Sequence, residues 1–182
     1  MPTLLDMCHI PIPDDVTGKS LLPSLTADQQ IRESVVFGYF GAAINVCDGR
    51  YSYFHYPKVD AAEHLFEYTL MPTRMTARFA IRELADATLH PSFSFTKGVP
   101  VLRLNPKTDE HGTPVEVQGL SFADQQSCLY DLSLDPAQSK PLDDPEIKAR
   151  MQAYIIDNMI ALDAPAESYQ RFGFPLPKNN SG

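Results

Sequence analysis

The sequence predicts an α+β fold: a small four-stranded antiparallel sheet packed against a C-terminal amphipathic helix, with a long irregular insert. Three observations predict it. Asp48-Gly49 is a hairpin signal standing between two apolar, aromatic-rich runs. Cys128, Tyr130, Leu132 and Leu134 alternate with Leu129, Asp131 and Ser133, which is the period of a strand. Asp144, Pro145 and Glu146 open a stretch in which Ile147, Met151, Tyr154, Ile155, Met159 and Leu162 recur at helical spacing.

Along the chain, residues 3–8 (TLLDMC) read as the end of a helix with Pro2 at a favourable first-turn position. So short a piece cannot offset the cost of helix nucleation alone, so it docks on something or continues a longer helix. Residues 9–30 read as extended and turn-rich, punctuated by Pro11, Pro13, Gly18 and Pro23. Residues 35–40 (VVFGYF), 42–47 (AAINVC) and 50–56 (RYSYFHY) read as strands. With Asp48-Gly49 as the two turn residues, Val46 opposes Tyr51 and Ile44 opposes Tyr53. Ala42, Ile44, Val46, Tyr51, Tyr53 and His55 then share the core face, and Asn45, Cys47, Arg50, Ser52 and Phe54 the other. Residues 65–70 (LFEYTL) read as a further strand, 79–87 as a short helix, and 99–104 and 115–118 as a pair of strands within an insert spanning 71–127. The strand beginning at Cys128 ends at Asp135-Pro136. The C-terminal helix is capped by Asp144, has Pro145 at its first position and Glu146 near the positive end of its dipole. Ala164-Pro165 stops it, and residues 165–182 are expected to wander over the surface or fray.

Composition narrows the function. The 182 residues suit one ordinary domain, and 43% hydrophobic content is globular. Sixteen prolines spread along the chain imply ordered turns and not one flexible linker. A net charge of −8 gives no global attraction for nucleic acid or anionic membranes, so neither is expected as a partner. No apolar run approaches the roughly 18 residues of a membrane helix. The N-terminal stretch has no readable signal peptide, which makes a cytoplasmic location the default expectation. Cys8, Cys47 and Cys128 are odd in number and widely separated, and read as free, buried thiols.

The familiar catalytic patterns are incomplete. Gly18-Lys19-Ser20 resembles the end of a phosphate-binding loop, but Pro13 stands where the first glycine belongs and Pro23 interrupts the helix that must follow. The histidines His9, His55, His64, His90 and His111 show no metal-binding spacing, and no G-x-S-x-G elbow is present. His55 ends an aromatic face, where a packed, hydrogen-bonded histidine is the bland reading and a substrate contact the functional one. Arg74, Arg78, Arg82 and Lys97 give the insert a basic bias, either a solvated surface or an anion-contacting loop.

Three stretches together resemble the sulfatases. PTLLDMCHIPIPDDVTGKSLLPSL resembles the segment that follows the catalytic α/β domain in that family, with P-T-L-L-D, I-P-x-P and G-x-S-L-L-P in order. DGRYSYFHYP resembles the family's next feature, a strand pair in which D-G-R-Y leads into an aromatic run. LYDLSLDPAQSKPLDD, followed by a helix, resembles L-Y-D-L-x-x-D-P-x-E-x-x-N-L, except that Gln138 replaces the acidic residue and Pro141 the asparagine. The resemblance implies residues 1–30 as a link from a catalytic α/β domain outside this chain, 31–164 as a C-terminal subdomain with 71–127 inserted, and 165–182 as a tail. It also implies a parent enzyme that hydrolyses sulfate esters with calcium and a formylglycine made from C/S-x-P-x-R. Cys8 has proline three residues on, and Ser139-Lys140-Pro141-Leu142 is followed by Asp143 where arginine belongs, so no nucleophile and no metal ligand transfer to this chain. The expected role is to close one wall of the substrate pocket, with His55, Arg74 and Lys97 as wall residues and no turnover by this chain alone. Its expected partner is that catalytic domain, or a second copy through the exposed face. A stand-alone interaction module and a related phosphate or phosphonate ester hydrolase are the alternatives.

Overall fold

The protein was analysed as a computed structural model, which describes residues 1–38, 41–57, 65–71, 73, 78–105 and 126–177. Along the chain run α1 (Pro2–Met7), α2 (Leu22–Ala27), β1 (Val35–Gly38), β2 (Ile44–Cys47), β3 (Tyr51–His55) and β4 (Glu67–Thr69). Then come α3 (Ile81–Ala85), β5 (Thr88–His90), β6 (Val101–Leu104), β7 (Cys128–Asp131), α4 (Pro145–Ala161) and α5 (Ala166–Phe172). The main sheet is antiparallel, in the order β1-β2-β3-β7, and carries α4 on one face. The α+β architecture, its four-stranded sheet and its C-terminal helix are therefore as the sequence predicts.

The β2–β3 turn differs by one step from the prediction. Val46 lies opposite Tyr53 and Cys47 opposite Ser52. Asp48 is the last paired residue: its N–H donates to Tyr51 O at 3.2 Å, and its Oδ1 accepts from the Arg50 and Tyr51 N–H groups at 3.0 and 2.7 Å. Gly49 and Arg50 thus form the turn, with Gly49 at φ 97°, a conformation glycine adopts without penalty. The slip amounts to two residues in register. Side chains alternate with period two, so the core face survives unchanged.

That face packs against α4. Val46 and Tyr53 are fully buried, with Leu129, Met151, Ile155, Met159 and Tyr169 around them. Asp144 Oδ1 caps α4 by accepting from the N–H groups of Glu146 and Ile147 at 3.1 and 3.0 Å. Leu162, expected on the buried face, instead ends the helix half-exposed. Gly38 closes the β1 end: a Cβ there would meet Ala43 O at 2.8 Å.

Several local expectations are corrected. Residues 22–27 are helical although Pro23 reads as a breaker, because proline sits in the first turn where its missing N–H costs nothing. β7 ends at Asp131, where the side chain turns the backbone by accepting from Ser133 N–H at 3.0 Å. Residues 67–69 belong to a second, three-stranded sheet ordered β4-β6-β5, whose other two strands lie in the described part of the insert. The 115–118 strand lies outside the described residues. The stretch after Pro165, expected to fray, forms α5 and buries Tyr169 and Arg171. The three cysteines are free thiols, but Cys8 is exposed and Cys47 and Cys128 are half-buried. Among the described residues, no helix is long and apolar enough to cross a membrane.

Candidate functional site

The hairpin register carries His55 to the end of the core face, where it meets the end of α5. Its Nε2 lies 2.8 Å from Phe172 O and its Nδ1 3.0 Å from Tyr53 Oη. A carbonyl only accepts, so Nε2 holds a proton, and in the neutral ring Nδ1 then accepts from the Tyr53 hydroxyl. Gln152 Nε2 in turn donates to Tyr53 Oη at 3.2 Å. The imidazole stacks on Phe174, with centroids 4.5 Å apart and planes 19° from parallel. Burial pushes its pKa below the ordinary value, against the opposing effect of the Phe172 carbonyl. Both ring nitrogens are thus engaged inside the chain.

The wall that His55 supports faces a groove of about 470 Å³. Phe37, Ile44, Phe66 and Phe172 line it together with Glu167 and Arg171. Arg171, 6% exposed, donates to Gly41 O at 2.7 Å, and burial lowers its pKa. On the groove's far side the Tyr68 hydroxyl donates to Glu167, which raises the Tyr68 pKa together with the larger effect of burial. Arg103 lies over the Phe66 ring, 3.5 Å from its centroid, with Nε 3.7 Å from Glu167 Oε1. This Tyr68–Glu167–Arg103 group joins the second sheet to α5. Sequence reasoning missed it because Glu167 and Arg171 fall in the supposed tail, where a polar heptapeptide gives no periodic apolar signal.

The other predicted residues lie elsewhere. Lys97 follows a 3-10 turn over Ser94–Thr96, has φ 54°, and pairs with Asp15 Oδ2 at 2.7 Å. The Lys97 contact is the main cause of Asp15's lowered pKa. Lys97 thus fastens the N-terminal segment to the insert, while the partners of His55 are Tyr53, Phe172 and Phe174. The structure gives the two no shared partner among these. Arg74 lies outside the described residues.

The motif residues that look most chemical hold the backbone. Arg50 grips Asp131 through Nε and Nη2, at 3.1 and 2.8 Å from Oδ2. That contact, followed by the Ser133 hydroxyl, holds the Asp131 carboxyl down to about 2. Asp48 Oδ2 pairs with Arg150 of α4 at 3.0 Å, and both guanidinium groups lie over the Tyr51 ring. Asp135 accepts from the N–H groups of Ser139 and Lys140, each at 2.7 Å. Among the described residues no three His, Cys, Asp or Glu side chains are grouped to hold a metal ion. Asp48, Asp131 and Asp135 are each committed to arginine or backbone N–H partners. No Cys or Ser of the sequence stands in C/S-x-P-x-R, the pattern from which formylglycine is made.

No family model matches the sequence, and no curated protein matches it. Among solved structures, the chain is similar to a sulfatase described under the metabolism of multiple glycosaminoglycans by Bacteroides thetaiotaomicron, at 16% identity and a TM-score of 0.44. That similarity covers 87% of this chain, which spans 23% of the length of the other.

Proposed function

We propose that this chain is the C-terminal subdomain of a sulfuric-ester hydrolase, which completes the substrate pocket of a catalytic α/β domain and performs no hydrolysis alone. The observation that carries this reading is the meeting of two motif stretches. Arg50 of D-G-R-Y clamps Asp131 of L-Y-D-L across a sequence separation of 81 residues. Asp48 of the same hairpin secures α4 through Arg150. The ordered motifs that resemble sulfatases are thus the parts that tie strand pair, closing strand and helix together. Their polar side chains are spent on that task, and the nucleophile and cation belong to the companion domain.

In this proposal residues 1–30 are the link to the catalytic domain, 31–164 the subdomain, and α5 an added brace that reaches into the stretch 165–182. Arg74 and Lys97 contribute cationic charge to the pocket wall, and Lys97 exchanges Asp15 for substrate. His55 acts through the Phe172 wall that it holds, and not through its own nitrogens.

Purified 182-residue chain, assayed with an aryl sulfate in the presence and absence of calcium, should show no turnover. Metal-dependent hydrolysis by this material would overturn the proposal. An in-frame C/S-x-P-x-R in the coding DNA upstream would support it.

A second reading, a stand-alone interaction module, is favoured by one feature. Leu4 and Met7 of α1, Leu25 of α2, and Ile10 and Leu21 nearby are all exposed large apolar side chains. Light scattering separates the two readings: concentration-dependent self-association of the chain favours the module, and a monomer that binds no further copies counts against it.

A further inference from the structure

We propose that the cup between β3 and β7, on the face of the main sheet turned away from α4, binds a neutral sugar ring. The inference goes beyond the proposed function and does not depend on it, since the cup shares no lining residue with the groove beside α5. An antiparallel sheet with a helix on one face ordinarily turns polar side chains outward on the other. Here Val46, Tyr53 and Leu129 pack toward α4, and the alternation sends Phe54 and Tyr130 to the opposite side. Their rings meet at 85° with centroids 5.9 Å apart, so the two planes form a corner. With Tyr56 and Cys128 this half-buried corner floors a cup of about 440 Å³, within the roughly 300–1,000 Å³ of small-ligand sites. Gln126 and Gln138 stand exposed at its rim.

The lining selects the ligand. None of the six residues is an acid or a base of ordinary charge, in a chain that is 21% charged. A charged ligand would shed water here without gaining a counter-ion. Burial, Cys128, Tyr56 and the Asp135 carboxylate all raise the Tyr130 pKa, and the field of that carboxylate also opposes an anionic ligand. At the rim each carboxamide offers two N–H donors and an accepting oxygen. Neither makes a side-chain hydrogen bond among the described residues, so each can exchange water for ligand hydroxyls at little cost. Gln138 is fixed in place at φ 52°: its N–H donates to Asp135 O at 3.0 Å, and the Asp135 carboxylate accepts from the next two backbone N–H groups. A pyranose matches this arrangement. Its C–H face lies against an aromatic plane, and the hydroxyls round its edge donate and accept together, as carboxamides do.

The test is titration of the ¹⁵N-labelled full chain with methyl glucoside, methyl galactoside and methyl mannoside, followed by amide shifts. At least one should give saturable shifts over residues 54–56 and 128–131, with none comparable in α4. Silence from all three up to about 100 mM, well above the ~1 mM scale of a weak specific site, overturns the proposal. The phosphate ester of the bound sugar should bind at least about tenfold more weakly, as should cyclohexanol, a ring without the hydroxyl pattern. Equal affinity for either one overturns the proposal. Tyr130→Ala should weaken binding about tenfold through the lost aromatic contact, and Gln126→Ala about three- to tenfold through the lost hydrogen bond. Should Tyr130→Ala fail to fold, the exposed position decides: wild-type affinity in Gln126→Ala counts against the site.

Discussion

Asp131 shows how one carboxylate joins two distant stretches of sequence. It is buried at the end of β7 and accepts from Arg50 and from Ser133. Its pKa is depressed from 3.8 to about 2, so its contribution to stability is fully present above pH 3.8 and is lost as pH falls toward 2. Asp131→Asn should lower the denaturant midpoint at pH 6 and flatten its fall between pH 4 and pH 2. Urea unfolding at a series of pH values checks both, and an unchanged acid limb would remove Asp131 from the account. The clamp was not legible beforehand: the sequence places Arg50 and Asp131 in separate motifs, and no spacing rule pairs residues so far apart. The faces of the hairpin were legible in spite of a wrong turn assignment. Choosing Asp48-Gly49 over Gly49-Arg50 moves the register by two, and a period of two cannot register that error. A slip of one would have turned His55, Tyr53 and Val46 outward.

At the scale of elements, α4 was the easiest to read because its signals are local. Cap, first-turn proline and apolar spacing all lie within the helix itself, and Met151, Ile155 and Met159 are buried as that spacing implies. Ile155→Ala should cost about 2–5 kcal/mol of unfolding free energy, the range for emptying a packed core site. Chemical denaturation monitored by circular dichroism measures it, and a loss well under 1 kcal/mol would mean that α4 is not the wall of the core. α5 was illegible for the opposite reason. Its two buried side chains, Tyr169 and Arg171, are two residues apart, so they mark no helical stripe. Arg171 is buried because Gly41 O receives it, a partner that sequence inspection cannot assign. The second sheet was half visible. β4 and β6 were anticipated as strands, but not as neighbours, and β5 was not anticipated.

The whole molecule is held by contacts between parts that are remote in sequence. α5 closes the core with Tyr169 and reaches the second sheet through Glu167, Tyr68 and Arg103. Deleting residues 165–182 should therefore lower the thermal midpoint sharply and broaden the transition, since a buried aromatic and the bridge between sheets go together. Calorimetry of the shortened chain decides this; an unaltered transition would return the segment to the status of a frayed tail. By itself, the sequence determined the α+β class, the core face of the hairpin, the capped C-terminal helix and the family resemblance, because each rests on periodicity or on neighbours within a few residues. Only the tertiary structure decided that Arg50 meets Asp131, that His55 spends both nitrogens on Tyr53 and Phe172, and that α5 belongs to the core. Those outcomes depend on which distant groups desolvate each other, and burial of that kind exists only once the chain has folded back on itself.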